Sequence, residues 1–592
     1  VDDEKVRVCV DEASHYLIYP SKPVLPVNVS VVKFGFGTKI VDVEYNVDSV
    51  VVYDLSCRLP FGGRVLPDVF GKMFSVEENK SNVVTNLYPG DWISYHAGGG
   101  LSLDRHVTFF VLNVYPVRYD SVNNSLFFVN NVTVTVRYRE PDTSHVGEHS
   151  IYDLLVIAPS RFCSILEPFV EHKNLHSVKT RLVSLEEVYD RMFWYGRDNA
   201  EKIKYFIKNA VEYWGVTYVL LVGGMRGQTG GWYLPVRYSH VVPFDEQEYD
   251  ESSFISDLYY ADVYDGDGNF SSWDSNNNGV FAEWNETVRD DMDLYPDVYL
   301  GRLPCRSVAE VKTMVKKIIA YEKDVCEGDW FNNFLVVAGD SYNDTEHFNE
   351  GELIGEAAIQ RMPGFNPVRV YASEQDINRK TVNKALNKGC GFAYFCGHGS
   401  PMSWNTHFPS NGTEWCTGYE LKDMLLLHNG RRLPVVVVGG CHNAQFDVTL
   451  LNILRGLRDE GLSYFRVKPP FGGFWYGEWS PECWAWFLTS KRGGGAIATV
   501  ANTGLGTHGE GDVDGNGVPD YLEVLDGWLE LRFFQLYGVE GVDVLGEIHG
   551  ETLTGYLHKF LGNDERMDVK MVQQWELFGD PSLRIGGRRG VE

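Results

Sequence analysis

The stretch VVVVGGCHNAQF, residues 435–446, decides how the rest of the chain is read. Four β-branched residues with no polar alternation describe a strand buried on both faces, which belongs in a parallel sheet covered by helices. Two glycines break that strand, and a thiol, an imidazole and an amide follow at Cys441, His442 and Asn443. A second stretch, GFAYFCGHGS at 391–400, repeats the design and ends in His398. Reactive groups in open α/β sheets collect beyond the carboxyl ends of strands, where both residues stand.

Working outward, apolar runs of the same kind recur from about residue 150 as LLVIAPS, YVLLVGG, DVYLGRL, FLVVAGD and AIATVANT, with helical stretches between them. One of these, SVAEVKTMVKKIIAYEK, opens with Ser307 and Glu310 in capping-box spacing and places Val311, Val315, Ile318 and Ile319 on one face. Another ends at Gly389 just before the His398 strand. The texture predicts an α/β domain with a largely parallel sheet flanked by helices, its first half at 149–326 and its second at 327–592. Residues 1–148 instead alternate apolar and polar in short runs such as LFFVNNVTVTVRYRE, which predicts a separate β-sandwich-like domain. The stretch DTSHVGEHS, 142–150, reads as an exposed joint between the two.

Composition narrows the partners. The 592 residues carry 53 Lys plus Arg against 81 Asp plus Glu, a net charge of −28 that repels nucleic acid and anionic membrane and favours cationic peptides or metal ions. No apolar run approaches the ~20 residues of a membrane span. The opening VDDEKVRVCV is no signal peptide, so a cleaved signal is expected upstream. Export is suggested by sequons at Asn28, Asn123, Asn131, Asn269, Asn285, Asn343 and Asn411 in a chain with ten cysteines. Cys9 with Cys57 and Cys305 with Cys326 are the candidate disulfides.

The chemistry rests on two strand ends that present complementary halves of a dyad. A thiolate is a nucleophile, and a nearby imidazole accepts its proton and later protonates the leaving amine, which is acyl transfer. The amides of Gly399 and Cys441 are the candidate oxyanion donors. A lone Cys or His after a strand is ordinary packing, and it is the pair that carries the reading. His442 competes as the base, but neighbours on an extended chain point to opposite sides, which favours His398. Zinc binding by Cys441, His442 and Cys396 is a further alternative, which no C-x-x-C or H-x-x-x-H spacing supports.

GHGS with Trp404, then C-x-N-x-x-F at Cys441, Asn443 and Phe446, then ECWAWFLTSKRGGGAIATVANTG and WELFGDPSL, together resemble the gingipain-type cysteine peptidases, relatives of caspases and legumains in fold. The resemblance covers roughly 150–585. It implies a caspase-like fold and an endopeptidase with His398 as the catalytic histidine and Cys441 as the nucleophile. It also implies an acidic residue near the histidine, for which the strand PDVYLGRLPC suggests Asp297, set against a plain strand-capping role. In the N-terminal part, SKPVLPVNVS, LYPGDWISYHAGGG and VLNVYPVRYD look like the β-rich pro-domain of these peptidases, which implies a proenzyme whose own N-terminal domain restrains it.

Calcium is the third signal. DVDGNGVPDYLE fits an EF-hand-type loop with Asp512, Asp514, Asn516, Val518, Asp520 and Glu523 at the ligand positions and Gly517 at the turn. Asp265, Asp267 and Asn269, and then Asp274, Asn276 and Asn278, look like further loops of that kind that lack Glu at the twelfth position, Asn285 standing there in the second. A solvated Asn/Asp-rich turn is the alternative for each. The sequence therefore predicts a secreted or cell-surface cysteine endopeptidase acting on proteins or peptides and stapled by calcium. Its rival is a catalytically inactive, calcium-stabilised surface adhesion or assembly protein on the same fold.

Overall fold

The computed structural model describes residues 7–587 except 64, 68–86, 104, 142–149, 243–250, 286, 325–327, 343–347, 410–413, 467–473 and 562–565. The expected joint at 142–150 falls, apart from Ser150, outside the described residues.

The apolar runs form one ten-stranded sheet. Its order is Thr180–Ser184, Leu154–Ala158, Tyr218–Val222, Tyr299–Leu303, Trp575–Phe578, Ala498–Asn502, Val435–Gly439, Phe392–Cys396, Asn333–Ala338 and Asn366–Tyr371. The first five strands are mutually parallel, as are the last five, and the two sets meet antiparallel between Trp575–Phe578 and Ala498–Asn502. The expected α/β fold is thus observed, with most strands buried on both faces as their unbroken apolar runs require.

The helices begin and end where their caps place them. Ser307 Oγ accepts from Glu310 N at 3.2 Å and donates to Glu310 Oε1 at 3.0 Å, and the helix Val308–Asp324 buries Val311, Val315 and Ile318. The helix Arg379–Lys388 stops at Gly389, whose φ of +91° is one that favours glycine.

The described residues before 140 form strands and turns, with a four-stranded sheet around Leu25–Gly35 and Arg105–Val114 and smaller two- and three-stranded sheets. The domain lies against the α/β half through the strand Ile93–Ser102. Gly99 N donates to Asp293 Oδ2 at 2.8 Å and Leu101 N to the Pro296 carbonyl at 2.8 Å. Gly98, Gly99 and Gly100 permit that approach. A Cβ at the first would fall 2.1 Å from the Tyr295 ring and at the second 2.8 Å from the Asp265 carbonyl.

The expected disulfides are not found. Cys9 and Cys57 are free, exposed thiols, and the buried Cys305 has its Sγ 3.3 Å from Met314 Sδ. Cys326 lies outside the described residues. No helix among the described residues is long and apolar enough to cross a membrane.

Candidate active site

Strands Phe392–Cys396 and Val435–Gly439 are neighbours in register, Cys396 beside Gly439, so the turns that follow them leave the sheet together. The turns touch through backbone. Gly397 N donates to the Gly439 carbonyl at 3.0 Å, and a Cβ on Gly399 would stand 2.3 Å from the Cys441 carbonyl. Only glycine fits there. Asn443 locks the two turns, its Nδ2 donating to the carbonyls of Ser400 and Ser403 at 2.8 and 2.9 Å. The amide beside the thiol is therefore a clamp on the histidine's loop.

His398 and Cys441 are both buried. His398 Nε2 lies 2.7 Å from the Ser341 carbonyl. A carbonyl only accepts, so Nε2 carries the proton of the neutral ring and Nδ1 is the basic nitrogen. Ser341 is fixed in turn by Glu350, whose Oε2 accepts from the amides of Ser341 and Tyr342. His407 and Trp415 stand edge-on to the imidazole, with ring centroids at 5.3 and 5.1 Å. The Cys441 thiol donates to the Gly506 carbonyl at 3.3 Å.

His442 turns away from this centre. It has a positive φ of 56°, its Nδ1 lies 2.9 Å from Gln445 Oε1 and its Nε2 is 3.4 Å from Glu251. Burial pushes its pKa down to about 4. The backbone amides of His442 and Ala444 are committed to the carbonyls of Gly504 and Asn502.

Asp297, expected beside the catalytic imidazole, stands elsewhere. Its strand is four positions from that of His398 in the sheet, roughly 19 Å at about 4.8 Å per strand. Its Oδ2 accepts from the amides of Val263 and Tyr264 at 2.7 and 2.8 Å, and the imidazole facing it, at 4.0 Å, is that of His106. Burial and then Asp262 raise its pKa well above the ordinary carboxylate value. The position the sequence reading gave to a carboxylate is held by the Ser341 carbonyl, which residue-type reasoning cannot see.

A cavity of about 350 Å³ opens beside the Cys441 turn, lined by Trp232, Asp447, Arg455, Asp459, Glu460 and Glu478, among others. Asp447 accepts from the Tyr238 hydroxyl at 2.9 Å, and Glu478 from Gln445 Nε2 at 3.2 Å. Burial and then repulsion from Asp447 push the Glu478 carboxyl up to about 6. No sequence signal marks this group, because its members come from segments that meet only in the fold.

The acidic loops differ from one another. Asp512, Asp514 and Asp520 bring carboxylate oxygens within 4.8 Å of one another, while Asn516 Nδ2 ties Asp514 to Glu523 at 3.1 and 2.8 Å. Gly517 makes the turn at φ +84°, and Val518 N donates to Asn516 Oδ1. Burial and its acidic neighbours push Asp520 up to about 8. In all three loops backbone amides donate to the carboxylates, Asn516 N and Gly517 N to Asp512 in this one, and the other two loops also meet a basic side chain. Asp265 accepts from the amides of Asp267 and Asn269, and Asp267 faces Lys39 at 3.4 Å. Asp274 accepts from the amides of Asn278 and Gly279 and from Arg197, and Asn276 accepts from Asn278 N. Glu283, which the spacing rule overlooked, closes the second loop by accepting from Asn278 and Asn285.

Among known proteins the chain is similar to gingipain R2 of Porphyromonas gingivalis, 23% identical over 340 residues, which are 55% of this chain and 38% of that one. The chain thus spans little more than a third of that relative's length. The crystal structure of the Arg specific cysteine proteinase gingipain R aligns over 75% of this chain and 80% of its own at 18% identity, TM-score 0.47. A complex of Porphyromonas gingivalis RgpB pro- and mature domains aligns over 73% and 79% at 19% identity, TM-score 0.46. The profile of peptidase family C25 matches residues 148–586, more than half of the sequence and all of the ten-stranded sheet, and the chain belongs to that family.

Proposed function

We propose that this family member is a cysteine endopeptidase in which Cys441 and His398 hydrolyse peptide bonds. The observation that carries the reading is the clamp. Two adjacent strand ends deliver a thiol and an imidazole, and Asn443 with Gly399 holds their turns together. His398 Nδ1 takes the thiol proton, and the thiolate attacks the scissile carbonyl. The amides of Gly399 and Cys441 receive the oxyanion. The proton passes to the leaving amine, and water then releases the acyl group from sulfur by the same base.

The cavity at Asp447 and Glu478 supplies the substrate class. Two partly buried carboxylates that repel one another, with Arg455 of the chain near Asp447, would be relieved further by a cation, so a basic side chain of a protein or peptide substrate suits the site. Calcium would sit in the 512–523 loop, where three carboxylates converge. Asp512, Asp514, Asn516, Asp520 and Glu523 would hold it, with Val518 through its carbonyl. The ion would neutralise their repulsion and fix the loop.

The N-terminal domain restrains the enzyme in this reading. Its strand Val65–Pro67 pairs antiparallel with Thr507–Gly509, which begins one residue after the carbonyl that holds the thiol. A secreted or surface location fits such a restrained peptidase. The burial of Cys441 favours a second reading, a catalytically silent, calcium-stabilised surface protein. A thiol-reactive peptide probe with a basic residue separates the two. Labelling of the full chain that rises on proteolysis near residue 145 and disappears in Cys441→Ala is expected of the enzyme, and a chain that never labels is silent.

A further inference from the structure

A second convergence of ligand atoms lies beneath the dyad. Cys396 Sγ, an imidazole nitrogen of His508 and a carboxylate oxygen of Glu530 lie within 4.8 Å of one another, and all three residues are fully buried. They come from the strand Phe392–Cys396, the strand Thr507–Gly509 and the helix Leu525–Gly538. Each stands a short step from the reacting groups. Cys396 precedes His398 by two residues, and His508 follows by two the Gly506 carbonyl that holds the Cys441 thiol. Glu530 Oε1 faces Gly439, where a Cβ would fall 2.2 Å from it, two residues before Cys441.

The electrostatics of this pocket call for a cation. Glu530 Oε2 accepts from the Tyr394 hydroxyl and lies 3.6 Å from His508 Nε2. Glu530 Oε1 is buried with no hydrogen-bond partner among the described residues. No Lys or Arg pairs with this carboxylate among the described ion pairs, and a buried carboxylate without a cation is strongly disfavoured. The Tyr521 ring stacks on His508 with centroids 4.1 Å apart, and its hydroxyl lies 3.3 Å from Cys396 Sγ, a fourth polar group at the same point.

Sulfur, nitrogen and oxygen donors together suit a borderline-soft divalent ion and do not suit calcium, which takes oxygen alone. We propose that Cys396, His508 and Glu530 bind one zinc ion. Binding deprotonates the thiol and releases that proton. Thiolate and carboxylate then balance the two charges of the metal, leaving a buried site of zero net charge. The ion would pin the end of the strand that leads to His398 to the strand Thr507–Gly509 and the helix Leu525–Gly538, a structural role distinct from hydrolysis and independent of whether the chain is active.

The experiment uses the full chain as Cys441→Ala, so that the catalytic thiol does not compete for metal. Zinc is measured per chain after desalting, and the metal is then exchanged for cobalt. One zinc per folded chain and a thiolate-to-cobalt charge-transfer band are expected, both lost on adding Cys396→Ser. Glu530→Gln should weaken zinc retention at least tenfold, and it decides the matter if the Cys396 variant does not fold. A folded Cys441→Ala chain that holds no zinc overturns the proposal. So does zinc retained undiminished in the folded Cys396→Ser chain, or in Glu530→Gln.

Discussion

The two sets of parallel strands in the central sheet are built alike and hold their polar groups differently. In the set containing Tyr299–Leu303, Arg302 is buried within the strand, bound by Asp257 and donating to the Gly223 carbonyl at 2.7 Å. In the set containing Phe392–Cys396 and Val435–Gly439, the polar groups stand just past the strand ends, and neutral backbone oxygens hold them. Ser341 takes His398, Gly506 takes Cys441, and Ser400 with Ser403 takes Asn443. A charge held by an opposite charge is fixed in its protonation state, whereas an imidazole or thiol held by a carbonyl is oriented and still free to exchange a proton. Apolar strands alone therefore do not make a reactive sheet edge.

Substitution tests the contrast most sharply. Cys441→Ala should lower peptide hydrolysis by roughly 10⁴-fold or more while the chain still folds, because one sulfur atom is removed and the nucleophile with it. A variant that keeps full activity removes the dyad from the mechanism. Asp257→Asn should do the converse, lowering stability by about 3–5 kcal/mol by stranding the buried Arg302 guanidinium while each folded molecule turns over normally. Denaturant unfolding beside active-site titration checks this, and a stable but inactive Asp257 variant breaks the comparison.

Chelation ranks next. Removing calcium from the 512–523 loop should lower stability by about 2.7 kcal/mol when the ion had been at a hundredfold excess over its dissociation constant. The sign of the pH dependence follows from Asp520. Its folded pKa of about 8 lies above its unfolded value, so the chelated protein binds a proton on folding and loses stability as pH rises toward about 8. Melting curves with and without chelator should diverge across that window, and coincident curves at every pH exclude calcium from this loop.

Asn443→Ala should cost about 1–3 kcal/mol through the stranded carbonyls of Ser400 and Ser403, and should lower kcat with little change in KM. A change in KM alone would instead make Asn443 a substrate contact. The smallest effect expected is at Glu478. As pH falls through about 6 this carboxylate takes up its proton, so KM for peptides with a basic side chain should rise several-fold relative to neutral peptides. A constant ratio assigns the cavity to something other than a cation.

Much of this was legible in the sequence wherever the signal was local. An unbroken β-branched run followed by glycines and a thiol states both a buried parallel strand and what stands at its end, and Ser307 with Glu310 states where a helix begins. The orientation of the histidine was not legible, because the group that holds it is a main-chain oxygen and any residue at 341 carries one. Asp297 was placed beside His398 because strand order leaves no period in the sequence, and the three strands between theirs become visible only in the sheet. Cys396, His508 and Glu530, like Asp447 and Glu478, meet only through folding across long separations, so no spacing rule collects them.

The three glycines at 98–100 carry one further consequence. A side chain at Gly98 would enter the Tyr295 ring, and one at Gly99 the Asp265 backbone, so the strand has no larger residue with which to adjust its fit to the α/β half. Contacts made by side chains can be strengthened or weakened by degrees as a sequence drifts. This contact is made by backbone against backbone and ring, and a single added methyl group forces the strand away. At this point the fit between the two halves therefore leaves no room for one added methyl group, and a one-residue change forces a shift.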